Sequence, residues 1–152
     1  MRTLWWVMGA SAVGKKTLIR EALVNAAVRT SLGLPDRIEA AWMGHGAVSA
    51  EDVAAVAQSA APDTLLRWQF GREALLPELR GLRHVLLLVV AEPGVHYARM
   101  LAREGERWSQ HGLVDEAEAV RELAFGIAAA HGLPLRVVEA SSEYRVHEVV
   151  SA

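Results

Sequence analysis

The amino-acid sequence predicts an α/β fold, a three-layer sandwich in which helices cover both faces of a five-stranded parallel sheet. Apolar runs of strand length alternate with segments of helical periodicity along the whole chain. The run from 85 to 91 is apolar on both faces, as an interior strand of a parallel sheet requires. Because each strand is followed by a helix, successive strands are joined by crossovers and lie parallel.

Length and composition favour one globular domain that spans residues 1–152. Hydrophobic residues make up 52% of the chain, charged residues 22%, and the net charge is −2. This balance gives no general attraction to nucleic acid or to an anionic membrane, so neither partner is expected. There is no cysteine, and the longest apolar run is too short to span a bilayer. We therefore expect a cytoplasmic protein without disulfides or thiolate metal sites.

The first half of the chain reads as three strands that alternate with two helices. A capping-box-like start, Ser49 with Asp52, marks the second of these helices. In order, the predicted elements are a strand at 4–8, a helix at 17–31, a strand at 37–43, a helix from about 50 to 60, and a strand at 64–70.

The second half reads as two further strands and four helices. Gly132 and Pro134 end the longest predicted helix. In order, the predicted elements are a short helix at 72–79, a strand at 84–90, a helix after Pro93, a long helix at 114–130, a strand at 135–138 and a closing helix at 143–150.

A glycine-flanked loop between the first strand and the first helix is the strongest functional signal. Glycines let the backbone turn tightly, and a helix start offers unpaired N–H donors and the positive end of a dipole to an anion. A plain connecting turn is the alternative, but such a turn needs neither Lys15 nor both glycines. The predicted phosphate-binding residues are Gly9, Ala10, Ser11, Ala12, Val13, Gly14, Lys15, Lys16 and Thr17.

The loop matches the Walker A pattern G-x-x-x-x-G-K-[ST] up to its last position. Lys16 stands where the pattern has a hydroxyl, and Thr17 supplies that hydroxyl one residue later. Thr17 is therefore a candidate to bind a phosphate or magnesium, or else a polar residue of the first helical turn. Lys16 either adds charge at the phosphates or points to water.

Residues 4–18 resemble the start of small P-loop kinases, the nucleoside monophosphate kinase and ribose bisphosphate phosphokinase group of the P-loop NTPase superfamily. The late hydroxyl at Thr17 is similar to the adenylate kinase loop. The resemblance implies a fold of P-loop NTPase type. It also implies ATP and Mg²⁺ as cofactors, and transfer of the terminal phosphate to a small metabolite or nucleotide.

Two later stretches extend the resemblance. Residues 85–93 with Arg99 and Arg103 resemble the fourth strand and lid-side helix of those kinases, which implies that these arginines reach the transferring phosphates. Residues 135–142 resemble their last strand and adenine-side loop, which implies a nucleotide contact near Ser141. Arg72 is placed like the arginine after the third strand of adenylate kinases. Lys15, Arg72, Arg99 and Arg103 are thus the catalytic candidates, although a solvated arginine face is the alternative for the helix.

The middle of the chain departs from the family. The third predicted strand ends without a carboxylate, where such kinases handle magnesium. Glu92 is therefore the candidate metal ligand beside Thr17, or else a loop carboxylate, and Gln69 is a candidate to orient magnesium-bound water. His45 lies either in an acceptor cleft or simply in a loop. The missing acid and the short acceptor region also favour a second function, a P-loop nucleotide-binding module or weak NTPase that acts as a switch or partner domain.

Overall fold

The computed structural model describes residues 2–150 as a twisted sheet with helices on both faces. Its strands lie in the order β2-β3-β1-β4-β5-β6. They are β1 (Thr3–Gly9), β2 (Glu39–Ala41), β3 (Thr64–Arg67), β4 (Arg83–Val90), β5 (Leu135–Ala140) and β6 (Tyr144–Val150). The helices are α1 (Lys15–Val24), α2 (Ala26–Leu32), α3 (Ala50–Gln58), α4 (Pro93–Glu104) and α5 (Gln110–His131), and short 3₁₀ turns occupy Arg72–Leu75, Pro77–Leu79 and Gly105–Arg107.

The C-terminal part of the sheet corrects the predicted count of five parallel strands. Strands β1 to β5 are parallel, but a sixth strand, β6, pairs antiparallel with β5 where a closing helix at 143–150 was predicted. A tight turn joins the two strands, with the Ser141 N–H donating to the Glu143 carbonyl at 3.3 Å. Side chains of β6 alternate between half-buried and exposed, which is the period of a strand and not of a helix.

The core lies on both sides of the sheet, which confirms the three layers. Alternate residues of β1 face opposite ways, so Trp6 and Trp5 belong to different core clusters. One cluster packs β1 against α3 and α5, and the other packs it against α1 and α2. Trp42 and Trp68 pack around Trp6 with ring centroids 5.8 and 5.3 Å away. Both rings therefore support the core in this structure.

Three predicted boundaries move for local reasons. The helix expected at 17–31 divides at Asn25, whose side chain accepts hydrogen bonds from Ala27 N (2.9 Å) and Val28 N (3.3 Å) and caps α2. The segment 72–79 forms two 3₁₀ turns, because Pro77 has no N–H to continue a helix. The third strand is hydrogen-bonded only to Arg67, three residues short of the predicted end.

The topology places a crevice beside the loop that follows β1. Strand β1 lies between β3 and β4, and successive connections run to opposite sides of it. Ligand sites in open α/β sheets lie at such switch points, outside the carboxyl ends of the strands. Within residues 2–150, no helix combines the length and apolarity needed to cross a bilayer.

Candidate functional site

The loop at residues 9–17 is compact because small residues occupy its tightest positions. A Cβ on Gly9 would lie 2.7 Å from Val13 Cγ1 and 2.9 Å from the Val89 carbonyl oxygen, so only glycine fits there. Ala12 and Gly14 have positive φ values of 58° and 111°. These turns reverse the chain and start α1 immediately afterwards, at Lys15.

The start of α1 supplies unpaired donors at the mouth of this loop. The first α1 bond runs from the Leu18 N–H to the Gly14 carbonyl, at 2.9 Å. The N–H groups at 15, 16 and 17 therefore precede the helical ladder and have no intrahelical acceptor. Lys15 Nζ folds back and donates to the Gly9 carbonyl at 2.6 Å. This arrangement presents backbone donors and one ammonium together, as an anion site requires.

Burial and neighbouring cations lower the pKa of Lys15. Burial is the largest cause, and Arg67 and Arg103 act in the same direction, whereas Glu116 opposes them. Together they lower the pKa of Lys15 to about 8. The ammonium is therefore held in a place that lacks enough negative charge to balance it, and an anionic ligand would supply that charge.

The loop forms one wall of a cleft of about 630 Å³. Among the described residues that line this cleft, five are Lys or Arg and one is an acid, Glu104. The whole chain carries a net charge of −2, so the positive charge is local to the cleft. The lining residues are Ser11 to Thr17, His45, Arg67, Arg99, Arg103, Glu104, Ala140 and Tyr144.

Two predicted arginines of α4 reach the cleft in different ways. The Arg99 guanidinium donates to the Val13 carbonyl at 2.8 Å and to the Ser141 carbonyl at 3.4 Å, so it ties the loop to the β5–β6 turn. Arg103 is exposed, and its guanidinium lies 3.3 Å from the Glu104 carboxylate. Arg103 is thus held by an exposed ion pair, which costs little to break, whereas Arg99 holds two backbone carbonyls.

The other predicted residues lie at the margins of the cleft or outside its lining. Arg72 is buried, and its guanidinium donates to the carbonyls of Trp42 (3.1 Å), Gly44 (3.4 Å) and Arg67. Glu92 caps α4, since its carboxylate accepts from Gly94 N at 3.3 Å. Neither residue lines the cleft, and neither does Ser141, whose carbonyl accepts a hydrogen bond from Arg99.

The strand prediction passed over Arg67 as a site residue, and His45 and Tyr144 also line the cleft. Repulsion by Arg67 is the main cause that lowers the pKa of His45. Burial and the Glu21 carboxylate raise the pKa of Tyr144 to about 12. The predicted strand ran on to residue 70 and so placed Arg67 in its middle, whereas the observed strand ends at Arg67, at the carboxyl edge of the sheet where ligands bind.

A long-range contact between α5 and Ser11 holds the first part of the loop in place. Glu116 of α5 accepts hydrogen bonds from the N–H (2.9 Å) and hydroxyl (2.8 Å) of Ser11. The ring of His96 lies 2.6 Å from the Ser11 carbonyl oxygen. These partners are 105 and 85 residues away in sequence, so no local pattern could reveal them.

The side chains present do not fit a protein-held magnesium ion. Residues 2–150 contain no group of three or more His, Asp or Glu side chains placed to hold a metal. The end of β3, where the resembling kinases carry an acid, holds the guanidinium of Arg67. Of the predicted ligands, Thr17 lines the cleft and Glu92 does not. A cation at that strand end repels a second cation, so no step is assigned to a metal.

The strand order and the glycine-flanked loop between β1 and α1 define the class, a layered α/β fold with a crevice at the carboxyl edge of its sheet. No family model matches the chain. No curated protein matches it either. Among solved structures, the chain is similar to a gluconokinase from Sinorhizobium meliloti 1021, with 18% identity and a TM-score of 0.37, over 86% of this chain and 95% of that one. A likeness this remote carries no inference about activity.

Proposed function

We propose that this chain binds ATP through the loop at residues 9–17 and transfers the terminal phosphate to a small hydroxyl-bearing metabolite or nucleotide. One observation carries the proposal. Lys15 and the unpaired N–H groups of α1 line a cleft whose other charged side chains are mostly basic. A cleft of about 630 Å³ lies in the size range of small-molecule sites.

The proposed reaction is an in-line phosphoryl transfer. The acceptor oxygen forms a bond to the terminal phosphorus as the bond to the bridging oxygen breaks. ADP leaves with that electron pair, and the acceptor proton passes to solvent. Such reactions need mainly positioning and charge neutralisation, because the phosphoryl oxygens carry the charge that moves. Lys15 and the N–H groups from Ala12 to Thr17 would hold the phosphates.

The arginines would have different roles in the transfer. Arg103 is exposed beside the cleft, so it is the candidate to contact the moving phosphoryl group. Arg99 bonds the Val13 carbonyl and Arg72 bonds carbonyls of the segment 42–44, which supports positioning roles for both. Loss of Arg103 would then lower kcat, whereas loss of Arg99 would chiefly raise KM by loosening the loop.

A nucleotide-binding module with slow or no hydrolysis is the second candidate. The observation in its favour is the lack of an available carboxylate in the cleft lining. Glu104 is the acidic residue there, and its oxygens already accept from Arg103 (3.3 Å) and from Trp108 Nε1 (3.1 Å). A site without a base would bind nucleotide and leave the acceptor or water unactivated.

Phosphate transfer from labelled ATP separates the two functions. Sugars, sugar phosphates, nucleosides and nucleoside monophosphates form the acceptor panel, with release of inorganic phosphate followed in parallel. A kinase labels at least one acceptor, and Lys15→Ala loses that labelling while its melting curve stays cooperative. Arg83→Gln, at the opposite end of β4, is the matched control and keeps the activity. ATP binding without any transfer supports the module.

A further inference from the structure

Arg67 is a buried cation at the carboxyl edge of the sheet. It ends β3, and its side chain lines the cleft although the residue is only 8% exposed. In the β1–β3 register Arg67 lies opposite Val7, two residues before the loop begins at Gly9. The guanidinium therefore stands on the strand next to the phosphate-binding loop.

The charge of Arg67 has no counterion in the structure. One Nη donates to the Met43 carbonyl at 3.2 Å and lies 3.5 Å from His45 Nε2. Its Nε is buried and has no hydrogen-bond partner. No ion pair found among residues 2–150 includes Arg67. A buried cation without a counterion costs stability, and a ligand anion would supply that counterion.

The cations around Arg67 also favour an anionic ligand. Lys15 and Arg103 lie close enough to repel it. Repulsion by Arg67 is the main cause that lowers the pKa of His45, and it adds to burial in lowering the pKa of Lys15. Of the carboxylates near these cations, Glu104 pairs with Arg103, and Glu116, close to Lys15, accepts from Ser11 through one of its oxygens. A polyphosphate with three or four negative charges would neutralise several of these cations at once. A free divalent cation would instead meet their combined repulsion.

We propose that Arg67 stands in for a divalent cation, so that this cleft binds polyphosphate in its metal-free form. The inference rests on the proposed function, because it assumes that the loop at 9–17 holds the phosphates. It adds the ionic form of the ligand: uncomplexed ATP or pyrophosphate binds, and magnesium is not needed for affinity. The guanidinium contacts the terminal phosphate from the β3 side, while Lys15 contacts it from the loop.

Isothermal titration with and without magnesium tests this directly. A non-hydrolysable ATP analogue, and separately pyrophosphate, is titrated into the full chain in excess EDTA and in excess MgCl₂. We expect the Kd in EDTA to equal or fall below the Kd in magnesium. Binding to the wild type that appears only with magnesium overturns the inference but leaves the proposed function standing. A folded protein that binds in neither buffer overturns the proposed function itself, and the inference with it.

Variants at Arg67 give a second readout. Arg67→Gln should weaken binding in EDTA about tenfold or more, since it removes a charge-assisted contact. Arg67→Lys keeps the charge and should retain most of the affinity. Arg67→Asp should bind only when magnesium is present, because it restores the acid that the strand end lacks. Arg83→Gln serves as the charge-matched control. Equal affinity of Arg67→Gln and wild type in EDTA overturns the proposal.

Discussion

Two electrostatic effects act on the pKa of Lys15 in opposite directions. Burial and neighbouring cations lower its pKa to about 8 in the unliganded protein. A bound polyphosphate favours the charged ammonium and therefore raises that pKa. Between the two values, ligand binding takes up a proton, so the affinity depends on pH in a predictable direction.

We expect the affinity for pyrophosphate to fall as the pH rises through 8. From pH 7 to pH 9 the loss should reach about tenfold, because one proton must be taken up on binding above the lowered pKa. Titration calorimetry in buffers of different ionisation enthalpy measures both the Kd and the proton uptake. Lys15→Met should show weaker binding with a flatter profile. An unchanged wild-type Kd over this range contradicts the assignment of Lys15.

Replacing Arg67 should change the stability of the protein and its ligand affinity in opposite directions. Arg67→Met removes a buried cation without a counterion and keeps an apolar stem of similar reach. The unliganded protein should then gain about 1–2 kcal/mol in its free energy of unfolding, while its affinity for polyphosphate falls. Urea unfolding without ligand checks the first effect. A variant less stable than wild type would show that the Met43 bond of Arg67 is worth more than the buried charge costs.

The sequence predicts Lys15 as a site residue and does not predict Arg67, for a physical reason. Lys15, the glycines and Thr17 belong to one continuous loop, so spacing along the chain reports their arrangement. Arg67 and Glu116 reach the loop through strand register and helix packing. The Ser11–Glu116 contact joins residues 105 positions apart, which only the folded chain reveals.

At the scale of elements, β6 (Tyr144–Val150) is a strand where a closing helix was predicted at 143–150. The segment 144–150 contains Arg, His and Glu among apolar residues, and its side chains alternate between half-buried and exposed. Its pairing with β5 instead closes one edge of the sheet, with Leu135 opposite Val150 and Ala140 opposite Tyr144. The strand places Tyr144 at the cleft, so this edge contributes to the site.

The start of α3 was predicted from sequence and is confirmed in the structure. Ser49 Oγ accepts from the Asp52 N–H at 3.1 Å, and the Asp52 carboxylate accepts from the Ser49 N–H at 3.1 Å. The capping box was visible in sequence because both partners lie within one helical turn.

Ser49→Ala should destabilise the protein without affecting its ligand. Losing the cap is expected to cost about 1 kcal/mol of unfolding free energy. Chemical denaturation measures that loss, and titration with pyrophosphate should give the wild-type Kd, because α3 does not line the cleft. A matched loss of affinity would mean that α3 reaches the site in solution.

At the scale of the whole molecule, charge is distributed unevenly. A chain with a net charge of −2 gathers five of its sixteen Lys and Arg residues at one cleft. The strand order and the loop after β1 bring them there, since α4, β3 and the loop meet at the carboxyl edge of the sheet. The alternation of elements was enough to predict the layered fold, whereas the antiparallel edge strand depended on tertiary pairing.

This concentration of charge predicts a salt-dependent affinity. Raising the ionic strength from about 0.01 M to about 0.15 M shortens the Debye length from about 30 Å to about 8 Å. We expect pyrophosphate to bind several-fold more weakly at the higher salt. Calorimetry across this series measures the slope, and Arg67→Gln should reduce it while Arg83→Gln leaves it unchanged. A salt-independent Kd would contradict a charge-driven site.

A crystal structure with a non-hydrolysable ATP analogue tests the central claim most directly. In that complex we expect phosphate oxygens about 3 Å from the N–H groups of residues 12–17. We also expect Lys15 Nζ to leave the Gly9 carbonyl, which it now contacts at 2.6 Å, for the ligand. Polyphosphate bound elsewhere, with Lys15 still on Gly9, would contradict that claim.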